Sequence, residues 1–545
     1  MSENPVLPEK IALRRATVAL IFLLIAAAVA WVRWHLLAVP LDRDEGEYAY
    51  MGQLWLQGVP PYREAYNMKL PGVYGAYAAL EWVFGATTRG LRLGFLLMNL
   101  ATLTGLFLLA RRLFDARSAL WAAAAFAILS QSATFLALAG QATHFINLCV
   151  LPGFYLLLEA RMLEARRSRR AALFLGAGLC FGAAFLMKQQ AVFLVLAALG
   201  WALVSPHGAR RFDWKNAAIF TSGAALPYGI VCLHFWRSGD FASFWFWTVE
   251  YARAYTQIVS LPDAATNFAA RIRDFRPDWV LLGAGLLGGA LSSAKSASFR
   301  GLWLAWLGGA CLSAVPGFYF RPHYFIPLLP VLCLGIAGGW HELQTLSPRA
   351  TASGWNFQHL LATSIGAMGL GLSLLTHLPS WARPAEQYAR ETYPGNPTAE
   401  AEQIAHYLAR VAAPDERIAV VGSEPQIYFG ARRRAATGFL YAYPLMESQP
   451  FALDMQHQMA REIERHDPAW LVFENVNWAW GQTPQSHRFI FDWFWRYQSN
   501  YRCVAMIEMR PDGSHWEWNA RPDKRLKTPY LSLWRRRNTP VEYAH

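Results

Sequence analysis

Charged side chains are scarce in this sequence. Asp, Glu, Lys and Arg make up 16% of its 545 residues, against about 25% in an ordinary soluble domain. A soluble chain of this length would divide into several domains of roughly 150 residues each, and so few charges would not coat that much surface. Disorder needs low hydrophobicity and high charge, and the 54% apolar content excludes it. Cysteine is also sparse. Six residues in the whole chain exclude a disulfide scaffold. Five of them (Cys149, Cys180, Cys232, Cys311, Cys333) fall in apolar runs, which leaves Cys503 alone in the polar tail and no disulfide expected there. No C-x-x-C or H-x-x-x-H spacing marks a metal site. No internal repeat and no low-complexity tract occurs. What is plentiful is long apolar runs and positive charge: 50 basic against 37 acidic residues, a formal net of +13. Such an excess suits nucleic acid, anionic lipid or a membrane topology signal, and the positions of the charges decide among them.

A helix crosses the hydrocarbon core with roughly 20 apolar residues. Candidate runs lie at 17–34, 92–110, 118–138, 145–160, 171–187, 190–204, 216–236, 279–293, 301–318, 324–340 and 359–377. Ala28-Val29-Ala30 resembles a signal-peptidase site, but ten further runs favour an uncleaved anchor after Lys10, Arg14 and Arg15. With the N-terminus in the cytoplasm, the N-terminal arm and the loops 111–117, 161–170, 205–215, 294–300 and 341–358 carry 17 Lys and Arg. The much longer first outer loop, 36–90, carries only Arg43, Arg63, Lys69 and Arg89. This is the positive-inside pattern, so the +13 is a topology signal and no nucleic-acid partner is expected. The tail 379–545 is nearly neutral, with 20 basic and 19 acidic residues. Its apolar runs 417–422 and 469–473 read as buried strands, and 399–411 and 451–466 as helices. The expected fold is a polytopic α-helical membrane protein of about eleven spans over 1–378, with a soluble α/β domain over 379–545 on the outer, periplasmic side of a bacterial inner membrane.

The chemistry concentrates in the first outer loop. Asp42-Arg43-Asp44-Glu45-Gly46-Glu47 puts four carboxylates within six residues just past a span. A carboxylate near a low-dielectric surface has a raised pKa and accepts a proton; the plainer reading is a solvated loop or a helix N-terminus that favours acids. Tyr62 follows Gly58-Val59-Pro60-Pro61, and Lys69 opens Lys69-Leu70-Pro71-Gly72. Residues 72–84 are apolar but too short to span, which suits an interfacial helix with Tyr74, Tyr77 and Trp82 in the headgroup zone. Lys69 is then a snorkelling lysine or a cation for a phosphate.

The stretch DRDEGEYAYMGQLWLQGVPPY…NMKLPGVYGAYA resembles the first outer loop of bacterial family 39-like GT-C glycosyltransferases, which include the aminoarabinose transferase, protein mannosyltransferase and RgtA/B/C/D-like groups. FLMKQQA at 185–191, FRPHYFIPLLP at 320–330 and DERIAVVGSEPQIY at 415–428 extend the resemblance. It implies a GT-C fold and an inverting transfer of sugar from a polyprenyl-phosphate donor to a glycan, lipid or protein acceptor, outside the cytoplasm. It implies Asp44 as general base, with Glu45 orienting the acceptor or tuning Asp44, and Lys69 at the leaving phosphate. Arg321 and Tyr324, and Lys188 between two apolar runs, are further donor-phosphate candidates; interfacial anchoring is the alternative for Arg321 and Lys188. Tyr62, Tyr74, His144 and His323 are candidate substrate contacts, although His144 stands where related proteins often carry an acid. No cofactor is required, because Lys and Arg can stabilise a monophosphate leaving group, but the D-x-D spacing of Asp42 and Asp44 leaves a divalent cation open. Elsewhere, Arg253, Arg271 and Arg273 lie in the aromatic loop 237–278 as phosphate candidates. The tail tryptophans 478, 480, 493, 495, 516 and 518 read as glycan platform or core, and Arg535-Arg536-Arg537 as a contact for phospholipid or acidic glycan. The competing reading is a polytopic transporter or lipid-carrier flippase. Acids clustered in a loop rather than mid-span, and the lack of a half-to-half repeat, favour the enzyme.

Overall fold

A computed structural model describes residues 8–163, 167–204, 212–346, 357–510, 512–520 and 529–537. Parts of the cytoplasm-assigned N-terminal arm and of loops 161–170, 205–215 and 341–358 lie outside the described residues, as does the side chain of Trp478. The chain forms two compact units. One comprises residues 1–36, 95–231 and 261–383; the other comprises 37–94, 232–260 and 384–545. The first outer loop thus folds with the tail rather than with the apolar helices.

Each of the eleven apolar runs contains a helix. Five helices, Arg15–His35, Thr88–Leu113, Ala142–Met162, Arg167–Met187 and Trp214–Ser238, are long and apolar enough to cross a membrane by length and composition. The helices Trp279–Lys295 and Leu328–Leu346 show how such elements associate without a hydrophobic driving force: small residues let backbones meet. A Cβ added to Gly288 would lie 2.4 Å from the Gly335 carbonyl oxygen, and one added to Gly339 would lie 2.6 Å from the Gly288 Cα. The run 118–138 does not continue as one helix. It stops at Leu129, and an irregular connector follows whose carbonyls need donors. Arg33 supplies them, donating to the Ser130 and Ala137 carbonyls at 2.8 and 3.0 Å. Asp278 accepts from Ser132 Oγ at 2.9 Å and lies 2.8 Å from His377 Nε2, which ties the same connector to two further segments.

The second unit is built on a five-stranded sheet of β1 (Ile418–Val421), β2 (Trp470–Asn475), β3 (Tyr501–Arg510), β4 (Gly513–Trp518) and β5 (Tyr530–Arg536), in the order β1-β2-β5-β3-β4. β1 and β2 are parallel with Ile418 opposite Trp470, and the other pairings are antiparallel. β1 is apolar and buried at every position, as a parallel strand covered on both faces should be. The helices Thr398–Val411 and Ala452–His466 fall where the sequence pattern put them. β3, β4 and β5 were not anticipated. Of the tail tryptophans, Trp480 and Trp493 are core residues and Trp518 is exposed. Arg535 stacks its guanidinium 4.6 Å from the Trp470 ring centre, Arg536 pairs with Asp467, and Arg537 donates to the Tyr501 carbonyl. In this unit the helix Arg43–Leu56, here the acidic helix, packs on Gly72–Phe84 and on Gln426–Ala431.

Candidate active site

The four carboxylates do different work. Asp42 is the N-cap of the acidic helix: its carboxylate accepts the Glu45 amide at 2.8 Å, and the Glu45 carboxylate accepts the Asp42 amide at 3.1 Å. This reciprocal capping box satisfies two amides that the helix start would otherwise orphan. Burial, reinforced by the Glu45 and Asp44 charges, pushes the Asp42 carboxyl well above the usual carboxylate range. Glu45 is also buried, and Arg92 donates to both of its oxygens. The same guanidinium reaches the carbonyls of Val39 and Pro40 at 3.2 and 2.9 Å, which fixes the chain as it enters the helix. The role expected for Glu45 beside the substrate gives way to a positioning one, because helix cap and Arg92 fork use its carboxylate. Gly46 completes the logic of the Asp-Glu-Gly run. A Cβ there would lie 2.6 Å from the Gln426 amide nitrogen, so only glycine lets the two helices approach.

Arg43 points the other way. Its guanidinium lies between Glu424 and Glu474, 2.7 Å from the latter, and donates to the Tyr443 hydroxyl at 2.8 Å. Burial raises the Glu424 pKa well above its ordinary value, and the Arg43 charge opposes that rise. Glu474 belongs to β2, so this buried cluster anchors the loop to the sheet.

Asp44 and Glu47 are one helical turn apart on a shared face, and Lys69 joins them. Lys69 Nζ donates to Asp44 Oδ1 at 2.9 Å and to Glu47 Oε2 at 2.8 Å. The ammonium also lies 4.6 Å from the centre of the Tyr48 ring and 5.8 Å from that of Tyr441, within the range of cation–π attraction. Burial alone would lower the Lys69 pKa, but Asp44 and Glu47 outweigh it and hold the group protonated. Glu47 is fully buried and takes a second bond from Tyr74 Oη at 2.8 Å; burial raises its pKa, with Lys69 opposing. Asp44 differs from the other three acids in being partly open, with its side chain 29% exposed. Tyr441 Oη lies 2.8 Å from the Arg43 carbonyl and 3.5 Å from Asp44 Oδ1. The result is a largely buried lysine holding one accessible carboxylate.

Tyr62 and Tyr74, expected to touch substrate, are both buried. Tyr62 adopts a left-handed backbone at φ 69°, a costly conformation for a tyrosine, and donates its hydroxyl to the Lys69 carbonyl at 2.6 Å. Its ring packs among Tyr74, Phe235 and Phe244. Tyr62 therefore positions Lys69 through its backbone, and Tyr74 positions Glu47. The headgroup placing of Tyr74 and Tyr77 is corrected likewise, since both are buried under the acidic helix while Trp82 is 79% exposed.

Comparisons with known proteins bear on the fold. Residues 72–234 match the model of a family described as dolichyl-phosphate-mannose-protein mannosyltransferase. Among solved structures, ArnT from Cupriavidus metallidurans bound to undecaprenyl phosphate aligns over 94% of this chain and 97% of its own, with TM-score 0.56 and 16% identity. The chain is a multi-pass membrane protein with the GT-C glycosyltransferase fold. The apo form of the same ArnT gives TM-score 0.56 and 17% identity over 95% and 98% of the two chains. The archaeal oligosaccharyltransferase AglB from Archaeoglobus fulgidus, in complex with an inhibitory peptide and a dolichol-phosphate, gives TM-score 0.50 and 13% identity over 94% and 75%. No curated protein matches the sequence.

The remaining candidates lie in the other unit of this GT-C chain. Lys188 sits in the break between the helices Arg167–Met187 and Val192–Leu203, with its Nζ 3.9 Å from the centre of the Tyr324 ring. His323 packs edge-on against the same ring at 4.9 Å. The structure therefore brings Lys188, His323 and Tyr324 together. Arg321 is exposed and lies over Tyr319 at 5.4 Å. The loop before it holds Phe318 and Phe320 in left-handed backbone, at φ 57° and 45°, a strain that clusters at functional loops. Arg271 donates to the Phe320 carbonyl at 2.9 Å and pairs with Asp274, so it holds that loop. His144 is buried near Arg33, with no hydrogen-bond partner for its Nε2 among the described residues.

In this structure the acids of the D-x-D pair have other partners. Asp42 is turned into the helix cap, and the ammonium of Lys69 occupies the position between Asp44 and Glu47 that a bridging ion would take. Among the described residues, no group of three His, Cys, Asp or Glu side chains is arranged to hold a metal. Arg92 and Tyr441 were missed from sequence. Arg92 carried a signal, a charge opening an apolar run. Tyr441 carried none, since 397 residues separate it from Asp44.

Proposed function

We propose that this chain transfers a sugar, with inversion, from a polyprenyl-phosphate donor to a hydroxyl of a cell-envelope glycan, lipid or protein acceptor. The reaction is assigned to the periplasmic face of a bacterial inner membrane, with the N-terminus cytoplasmic and residues 379–545 outside. The mannosyltransferase-family match and the polyprenyl-phosphate in the similar ArnT structure support the class of donor, and the basic cytoplasm-assigned loops support the orientation. The observation that carries the mechanism is the partly exposed Asp44 carboxylate held by the largely buried Lys69 side chain.

In this reading the acceptor oxygen attacks the anomeric carbon. Its proton passes to Asp44, and the bond from that carbon to the phosphate oxygen breaks, its electron pair leaving with the phosphate. An ammonium has three donors; Asp44 and Glu47 take two, and the third is offered to the leaving phosphate, where charge develops. Lys188, Arg321 and Tyr324 are the further donor-phosphate candidates of this reading, and His323 a substrate contact. No metal is required. The test is radiolabelled sugar transfer by the purified full chain in detergent, supplied with polyprenyl-phosphate sugars. Label moving to a new acceptor supports the assignment. Carrier movement across reconstituted bilayers without any glycosidic product would replace it with the transporter reading.

A further inference from the structure

The tail contains a run of three arginines, Arg432-Arg433-Arg434, that the transfer chemistry does not use. With Arg417 and Asp415 they line a cavity of about 370 Å³, closed on its other side by Tyr50, Gln53, Leu54 and Gln57 of the acidic helix and its end. This volume lies within the usual span of small-ligand sites, about 300–1,000 Å³. Gln53 and Asp44 are nine residues apart on one helix, about 14 Å along its axis at 1.5 Å per residue, so the cavity is a separate place from the Asp44–Lys69 cluster.

Two of the four arginines have structural duties. Arg433 caps the helix Thr398–Val411 by donating to the carbonyls of Ala409 and Ala412, and its buried Nε has no acceptor among the described residues. Arg417 donates to the Ala435 carbonyl at 2.7 Å and pairs with Glu64 at 3.0 Å. The other two are not needed for that purpose. Arg434 is 42% exposed and reaches Glu64 only at 3.7 Å. Arg432 is exposed and touches the Ala86 carbonyl at 3.5 Å. Arg432 also ends its helix in left-handed backbone at φ 53°, a position that helices usually give to glycine or asparagine. Bearing an arginine there costs conformational energy. Four arginines thus line the cavity against a single lining carboxylate, Asp415, beside the neutral hydrogen-bonding groups of Tyr50, Gln53 and Gln57, and Glu64, which pairs with Arg417 and Arg434, is not among the lining residues.

We propose that this cavity binds a phosphate group carried on a sugar or a lipid headgroup. Arg432 and Arg434 would grip the anion with paired N–H donors, and the glutamines would take the adjoining hydroxyls. The inference stands independently of the transfer reaction. It is tested by equilibrium binding to the purified full chain in detergent, with glucosamine 1-phosphate, glucosamine, dihexanoyl phosphatidate and dihexanoyl phosphatidylcholine as probes. Saturable binding of glucosamine 1-phosphate or of the phosphatidate, with at least tenfold preference over its neutral or zwitterionic counterpart, is expected. Preference for the first assigns the phosphate to a glycan, and for the second to a lipid. The double variant Arg432→Ala/Arg434→Ala should weaken that binding at least tenfold with its thermal midpoint unchanged, and Arg432→Lys/Arg434→Lys should keep most of it. Equal binding of charged and uncharged probes, or wild-type affinity in the double alanine variant, would overturn the proposal. If the alanine variant is unstable, the lysine variant and a fall in wild-type affinity with added salt decide the matter, because a site that ignores salt is not this one.

Discussion

Glu81 offers a sharp test of how the helix Gly72–Phe84 is packed. It lies on the face of Gly72–Phe84 that meets the acidic helix, is 3% exposed, and has no hydrogen-bond partner for either carboxylate oxygen among the described residues. A Cβ added to Gly52 would come within 3.0 Å of its Oε1. Burial alone pushes its pKa up from 4.5 to about 8. Folding therefore takes up a proton wherever the pH lies between those values, and stability falls as pH rises through that window. Below about 4.5 the group is protonated in both states and costs nothing; at pH 7 it costs about 2–4 kcal/mol, from 1.36 kcal/mol for each unit between its unfolded pKa and the working pH. Glu81→Gln keeps the shape and removes the titration. The variant and the wild type should unfold at similar temperatures at pH 5, and the variant should be the more stable by several degrees at pH 8. Asp42 and Glu47 are present in both proteins, so the difference between the two curves isolates Glu81. A difference that does not change between pH 5 and pH 8 would refute the burial argument.

Gly46→Ala should be among the most destabilising single changes in the second unit, because the new methyl meets the Gln426 backbone at 2.6 Å rather than a movable side chain; a loss of about 3 kcal/mol or more is expected, read by thermal unfolding. Arg92→Met leaves the Glu45 carboxylate buried and uncompensated, with an expected loss of about 3–5 kcal/mol. The double variant Arg92→Met/Glu45→Gln should recover part of that loss. Lys69→Gln should lower transfer by about 10²- to 10³-fold. Adding Glu47→Gln should restore its melting temperature but not its activity, which separates the chemical role of Lys69 from its structural one.

The apolar helices were legible because spanning a membrane is a matter of composition: every apolar run proved to contain a helix. Among the departures in detail are the run 301–318, whose helix ends at Ser313, and the run 118–138, where Gln131 and Ser132 interrupt the pattern and Arg33, about 100 residues away, supplies hydrogen bonds to the connector. In the tail, β1 and β2 were readable because buried parallel strands are continuous apolar runs. β4 reads Gly-Ser-His-Trp-Glu-Trp and is held by pairing with β3, which no local pattern reports. Within the site, Asp44, Glu47 and Lys69 were within reach because one short loop contains them. Glu45 was read as a catalytic partner and Tyr62 and Tyr74 as substrate contacts, but the partners they have here, such as Arg92, and the fold of the loop around Lys69 left no local pattern in the sequence. Hydroxyls and carboxylates that look available in a sequence are often those that hold the site together.

The central claim is that Asp44 accepts the acceptor proton. Asp44→Asn preserves size and can still receive the Lys69 hydrogen bond but is not a base. Single-turnover transfer from a polyprenyl-phosphate sugar by the purified full chain should fall by about 10²- to 10⁴-fold, with the thermal midpoint and the affinity for the donor close to wild type. Transfer at the wild-type rate by a folded, donor-binding Asp44→Asn protein would contradict the account.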